Sequence, residues 1–176
     1  MHGVRRKTLK SQASAGLPLT VVMIPWSCPN EIYEAGMVSA IDMARGGGIK
    51  TVAFGDLFLE DIRTYLESNL AKVNMAAVFS PWQSPTENLV VAMVTGGLRA
   101  IVVCIDHRQL VASFAGRFYD ESYLYNLPDD ADPCGENGEL HALAFGGPMF
   151  DAEFLVTVGE VVTQEGFAFA DVSLNR

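Results

Sequence analysis

Apolar and polar positions fall along this chain in blocks rather than in strict alternation. Leu19 to Ile24 (LTVVMI) is an unbroken, largely β-branched run stopped by Pro25, the pattern of a strand buried on both faces. Glu31 to Ala44 then carries Ile32, Ala35, Val38, Ser39 and Met43 at helical spacing, and Gly46, Gly47 and Gly48 supply a glycine stop. Lys50 to Phe54 reads as a second strand closing on Gly55-Asp56. Leu59 to Leu70 reads as a helix with Glu60 and Asp61 in its first turn, where carboxylates suit the macrodipole. Met75 to Phe79 is a third, short strand ended by Ser80-Pro81. Thr86 to Val94 is a further helix, with Thr86 as its expected N-cap and Gly96-Gly97 as its stop. Ala100 to Ile105 (AIVVCI) is the strongest strand signal and ends in Asp106.

Wholly apolar strands alternating with helices predict a parallel α/β sheet with right-handed crossovers. The last third has another texture. Tyr119 to Asn137 is turn-rich and acidic, and strands expected at Leu140 to Phe145, Glu153 to Val162 and Phe167 to Val172 suggest a small antiparallel addition. At 176 residues without a linker-like segment, the chain is expected to be one domain, residues 119–176 forming its acidic loop and antiparallel part.

Composition narrows the function classes. With 49% hydrophobic and 19% charged residues the chain is too apolar for intrinsic disorder. A net charge of −9 repels polyphosphate, so general nucleic-acid binding is disfavoured. Cys28, Cys104 and Cys134 are odd in number and lack CxxC spacing, which reads as reduced thiols rather than a disulfide framework or a zinc site. No apolar run reaches about 18 residues, and the basic start has no apolar stretch after it, so a cytoplasmic protein with no membrane partner is expected.

Ligands of open parallel sheets bind beyond the carboxyl ends of the strands. Three polar clusters are placed there: Gly55-Asp56 with Glu60 and Arg63, Asp106 to Arg108, and Asp132-Pro-Cys-Gly-Glu-Asn-Gly-Glu139 with His141. In the last, Gly135 and Gly138 permit positive φ, which turns backbone N–H groups toward an anion or lets a ligand approach. Glu136 and Glu139 supply carboxylates for a cation, an amine or base chemistry. Plainer readings stand beside these. Gly-Asp after a strand is commonly a turn, Glu60 a helix-stabilising charge, His141 a structural histidine, Cys104 a core residue, and Trp82 packing rather than a stacking surface.

Four stretches resemble the diphthine–ammonia ligase family: His2-Gly-Val-Arg5, Phe54 to Arg63 (FGDLFLEDIR), Cys104 to Arg117 with Ser113-Phe and Gly116-Arg, and Asp132 to His141 (DPCGENGELH). The closing Val158-Gly-Glu-Val-Val and Phe167-Ala-Phe-Ala-Asp171 fit as well, and the loop, with its His141, resembles the family's bacterial branch. The resemblance implies a Rossmann-like ATP pyrophosphatase domain of the adenine-nucleotide α-hydrolase superfamily. It also implies amide ligation: ATP adenylates a carboxylate, ammonia displaces AMP, and Mg²⁺ accompanies the nucleotide. On this reading Gly55, Asp56 and Glu60 face the nucleotide. Arg63, Gly135, Gly138 and His141 contact substrate, and Glu136, Asn137 and Glu139 hold the acceptor or ammonium as catalytic residues.

One departure matters. The family's phosphate loop, Ser-Gly-Gly-Lys-Asp-Ser, is absent from these 176 residues. The resemblance places it before Met1, with a strand, a helix and a second strand of roughly 40 residues in all. A chain truncated in this way is expected to be inactive by itself, with exposed sheet edges that favour self-association. The alternative is a non-catalytic nucleotide- or partner-binding module, and a third reading is a pseudoenzyme that takes its phosphate loop from another polypeptide.

Overall fold

Three helices end by one device. In α1 (Asn30–Gly46) the N–H of Gly48 bonds Arg45 O and that of Ile49 bonds Ala44 O, with Gly48 at φ +85°. This is the Schellman closure, in which a left-handed residue lets the last carbonyls find donors. Gly97 (φ +90°) closes α3 (Thr86–Thr95) in the same way. Asn74 (φ +55°) does so for α2 (Glu60–Ala71) without being glycine. The glycine stops expected after the first and third helices are therefore present. Thr86 is not an N-cap: Pro85 takes that position and Thr86 starts the helix with no side-chain cap.

The computed structural model describes residues 15–25 and 28–175. Its chain forms two compact units, one of Thr20–Gln83 and the other of Met1–Leu19 with Ser84–Arg176. The class is mixed α/β, with a two-stranded parallel sheet and a separate four-stranded antiparallel sheet.

In the Thr20–Gln83 unit, β1 (Thr51–Phe54) and β2 (Ala76–Phe79) pair in parallel through the α2 crossover, in register from Thr51↔Ala76 to Phe54↔Phe79. Each strand buries alternate residues only partly. Among the described residues of this unit, Leu57, Leu70 and Met75 are the fully buried apolar side chains, and α1 buries none. Residues 19–24, expected as a strand, have no strand structure, and Leu19, Val21, Met23 and Ile24 are exposed. A β-branched run becomes a strand only where a ladder accepts its backbone groups. Among the described residues, β1 and β2 pair only with each other.

The other unit holds the main core. Here β3 (Arg99–Asp106) is buried from Ala100 to Asp106. The expectation that it joins a parallel sheet is corrected: it pairs antiparallel with β4 (Leu140–Gly146) on one side and with β6 (Phe167–Asn175) on the other. Its β6 pairing covers Cys104 to Asp106 only. Residues 116–119 occupy the rest of that edge through Val102 N–H to Arg117 O, Gly116 N–H to Val102 O and Tyr119 N–H to Ala100 O bonds. The physical reason lies in the partners. β5 (Leu155–Gln164) and β6 are joined by Glu165 and Gly166, both at positive φ, a two-residue hairpin whose twist brings β6 back along its neighbours. The order β4-β3-β6-β5 puts the most apolar strand in the interior of the sheet. Inside the segment read as turn-rich lies a short helix, α4 (Glu121–Asn126), capped by Asp120, whose carboxylate accepts from Tyr123 N at 2.9 Å.

Candidate functional site

The loop from Asp132 to Glu139 is built by two carboxylates that turn inward. Asp132 starts it as an Asx turn: Oδ1 accepts from Cys134 N at 3.0 Å and Oδ2 from Glu136 N at 3.1 Å. Its backbone oxygen accepts from Gly135 N, and Gly135 O in turn accepts from Gly138 N, both at 3.0 Å. Glu139 closes the loop from the far end. Its Oε1 accepts from Asp132 N and from Asn137 Nδ2, its Oε2 from Asn137 N, each at 3.0 Å. Only 2% of Glu139 is exposed, so these donors replace the water that its charge has lost.

Every backbone N–H from Asp132 to Gly138 is therefore bonded inside the loop, Pro133 having none. The glycines do not turn free N–H groups toward an anion. The carbonyls of Asp132, Pro133, Gly135, Asn137 and Glu139 are engaged as well, so the loop is closed by its own hydrogen bonds. Gly135 and Gly138 stand at φ +75° and +83°. At Gly135 a Cβ would lie 2.8 Å from Leu140 O, so a side chain is excluded there by space as well as by conformation.

A second buried carboxylate supports the first. Asp106, 3% exposed at the end of β3, donates its backbone N–H to Glu139 O at 2.9 Å. Its Oδ1 accepts from Arg108 N and Nε at 2.9 and 3.0 Å, and these bonds hold its carboxyl well below the usual range. Gln109 Nε2 lies 3.5 Å from Asp106 Oδ2 and 3.4 Å from Asn137 O, linking this network to the loop. Tyr119 donates its hydroxyl to Pro133 O, and burial, with nearby negative charge, raises its pKa. Burial, then the charges of Asp132 and Glu136, push the Cys134 thiol up to about 11, so it is a protonated packing group at neutral pH rather than a nucleophile.

Of the remaining sequence candidates, Gly55, Asp56, Glu60 and Arg63 lie in the Thr20–Gln83 unit. Gly55 is exposed and Asp56 half-buried in the loop after β1, and Glu60 is exposed at the first position of α2. Leu57 O accepts from Gln83 N at 2.7 Å, which ties this loop to the turn after β2, with Gln83 at φ +58°. Arg63 reaches Glu67 through Nε at 2.8 Å, and its guanidinium carbon sits 4.6 Å from the Trp82 ring centre and 5.2 Å from that of Phe79. Phe79 also stacks on Phe54 at 5.2 Å. The structure thus groups Gly135, Glu136, Asn137, Gly138 and Glu139 in one loop, and Gly55, Asp56, Glu60 and Arg63 about the carboxyl ends of β1 and β2. His141 is exposed on β4, opposite Cys104 in the register.

Sequence reasoning missed the ring cluster at Phe54, Phe79 and Trp82, and the direction of Glu139. The first had a signal: both strands end in Phe, and a Trp follows the Pro that stops the second. The second had none, because an inward glutamate just before a strand looks like any loop charge.

No family model matches the chain. Over 133 residues it is 26% identical to the diphthine–ammonia ligase of Bos taurus, a match that takes in 73% of the chain and 50% of that relative. The likeness is distant. The chain spans about half the length of the curated relative it matches. Among the described residues, no helix is long and apolar enough to cross a membrane.

Proposed function

We propose that this chain is part of an ATP-dependent amide ligase of the diphthine–ammonia ligase kind. In such a reaction a carboxylate oxygen attacks the α-phosphorus of ATP and pyrophosphate leaves. Ammonia then attacks the acyl carbon of the adenylate, AMP leaves, and a proton from nitrogen passes to a base. The likeness to the bovine ligase supports the reaction class. The observation that carries the reading is the Asp132 to Glu139 loop, whose donors are consumed internally. With its backbone N–H groups consumed, the loop offers phosphate no cradle, and its Glu136 carboxylate favours a cation such as ammonium, as the amine half of a ligase site must.

The roles assigned in this reading extend the same proposal. Glu136 and Asn137 hold ammonium, the Glu136 carboxylate takes the proton it releases, and Glu139 fixes the loop on which they stand. Gly135, Gly138 and His141 are assigned to substrate in one unit, and Arg63 is assigned to substrate in the other. Gly55, Asp56 and Glu60 approach the nucleotide. Among the described residues, no group of three or more His, Cys, Asp or Glu is arranged to hold a metal ion. Mg²⁺ therefore belongs with the ATP phosphates in this reading, and no step is derived through it. The phosphate loop Ser-Gly-Gly-Lys-Asp-Ser does not occur in the 176 residues, so the chain by itself is assigned no turnover.

The test is ammonium-dependent release of AMP from ATP. It is run on the 176-residue chain and on the product of the same reading frame followed upstream of Met1. The expected result is MgATP binding and AMP release by the longer product alone, lowered about tenfold or more by Glu136→Gln. A longer product that carries the phosphate loop yet releases no AMP overturns the ligase reading. Micromolar MgATP binding by the 176-residue chain overturns the assignment of phosphate binding to residues outside it.

A further inference from the structure

Arg63 is held from two sides before any ligand arrives. Glu67 takes its Nε at 2.8 Å, and the rings of Trp82 and Phe79 lie under its guanidinium at 4.6 and 5.2 Å. Its two terminal nitrogens make no hydrogen bond to another described residue, and 31% of the side chain is exposed. An arginine clamped at Nε and stacked on aromatic faces has lost most of its rotamer freedom, so a ligand that meets its terminal fork need not order it. The guanidinium lies against the ring of Phe79, the last residue of β2, which stacks on Phe54, the last of β1, and ligands of parallel sheets are held at such strand ends. Half-buried Phe54, Phe79 and Trp82 continue an apolar floor beside it.

We propose that Arg63, with Trp82 and Phe79, is a carboxylate receptor for a monocarboxylic acid bearing a flat apolar body. Both terminal nitrogens can meet the two oxygens of a carboxylate in parallel, a geometry that lysine cannot supply. Local charge selects a carboxylate over a phosphate. Glu67, bonded to Arg63 Nε, sets a negative charge beside this single guanidinium that repels a ligand in proportion to its charge. A single carboxylate meets that repulsion once, whereas a triphosphate meets it about fourfold. The receptor rests on the ligase reading only for its purpose, which is to hold the acid to be activated.

The test uses no ATP. In the full 176-residue protein carrying Trp26→Phe, Trp82 is the remaining tryptophan, and its emission is followed as phenylacetate is added. The expected result is saturable quenching in the millimolar range, at least tenfold stronger than with phenylacetamide, inorganic phosphate or ATP. Arg63→Gln should weaken phenylacetate about tenfold, with Arg63→Lys recovering only part of the loss. No saturable response to phenylacetate, equal affinity for phenylacetamide, or a stronger response to phosphate each overturns the proposal. The phenylacetamide arm keeps every native side chain at this corner, so it decides the matter even where Arg63→Gln disturbs folding. Phenylacetate binding, with no AMP release by a longer product that carries the phosphate loop, leaves the receptor standing and ends the ligase reading.

Discussion

β3 and β2 are both short apolar strands following a helix, yet they live in different surroundings. β3 has a partner on each side and is buried from Ala100 to Asp106, whereas β2 has one partner and leaves Ala76 and Val78 exposed. Around β3 gathers a core that includes Ile101, Ile105, Tyr123, Phe145 and Val172. Around β1 and β2 it amounts to Leu57, Leu70 and Met75 among the described residues. The difference shows that an apolar run contributes stability through the number of faces and edges its neighbours cover. The run itself fixes only where a strand can form.

The sharpest way to break this comparison is to cut a side chain from each strand. Ile101 has no exposed surface and Val78 is 44% exposed. Ile101→Ala should cost about 4 kcal/mol, since it leaves a cavity among packed neighbours. Val78→Ala should cost about 0.5 kcal/mol or less, because half the valine is already in water. Urea unfolding of both variants, with amide exchange to assign the loss to β3 or β2, gives the two values. Equal costs would mean that β2 is as well packed in solution as β3.

This contrast also marks how far the sequence was readable. Ala100 to Ile105 is correctly a strand, but its antiparallel pairing was not visible, because an apolar run carries no record of its neighbour's direction. LTVVMI at residues 19–24 has the same texture and forms no strand, since among the described residues nothing accepts its ladder. Helix ends were legible to within two residues both where glycine marked them and, after α2, where Asn74 took the left-handed position. At the loop, the density of Gly, Asp and Glu drew attention to residues that the structure joins in one hydrogen-bonded loop. That Glu139 points inward, with Asp132 taking the N–H groups of Cys134, Gly135 and Glu136, depends on positions in space that spacing along the chain does not encode.

A second contrast, between carboxylates of the two units, sharpens the first. Glu139 is buried with three donors on it, and Glu60 is exposed in a helix first turn. Glu139→Ala strands the N–H groups of Asp132 and Asn137 and the Asn137 amide, and should cost about 3 kcal/mol. Glu139→Gln keeps one acceptor oxygen and should cost about half as much, while Glu60→Ala should stay within about 0.5 kcal/mol. Exchange of the Asp132 and Asn137 amides should quicken in both Glu139 variants and remain unchanged in Glu60→Ala. Unchanged exchange in Glu139→Ala would show that the loop does not depend on this carboxylate.

The smallest effect separates two glycines within the same loop. Both hold positive φ, so alanine at either position takes a left-handed conformation that costs about 1 kcal/mol. Only Gly135 is also crowded: its new methyl would meet Leu140 O at 2.8 Å, whereas nothing lies within 4 Å at Gly138. The neighbour at Gly135 is a backbone carbonyl at the start of β4, one residue beyond Glu139, and it cannot swing aside as a side chain would. Gly135→Ala should therefore cost about 1 kcal/mol more than Gly138→Ala, the difference being the shift of that carbonyl against its ladder. It should also disturb the Glu139 bonds, which Gly138→Ala should spare. Paired urea melts with exchange at Asn137 resolve the two cases. Equal costs with equal exchange would show that the loop relaxes as a whole, and that Glu139 does not hold it against β4.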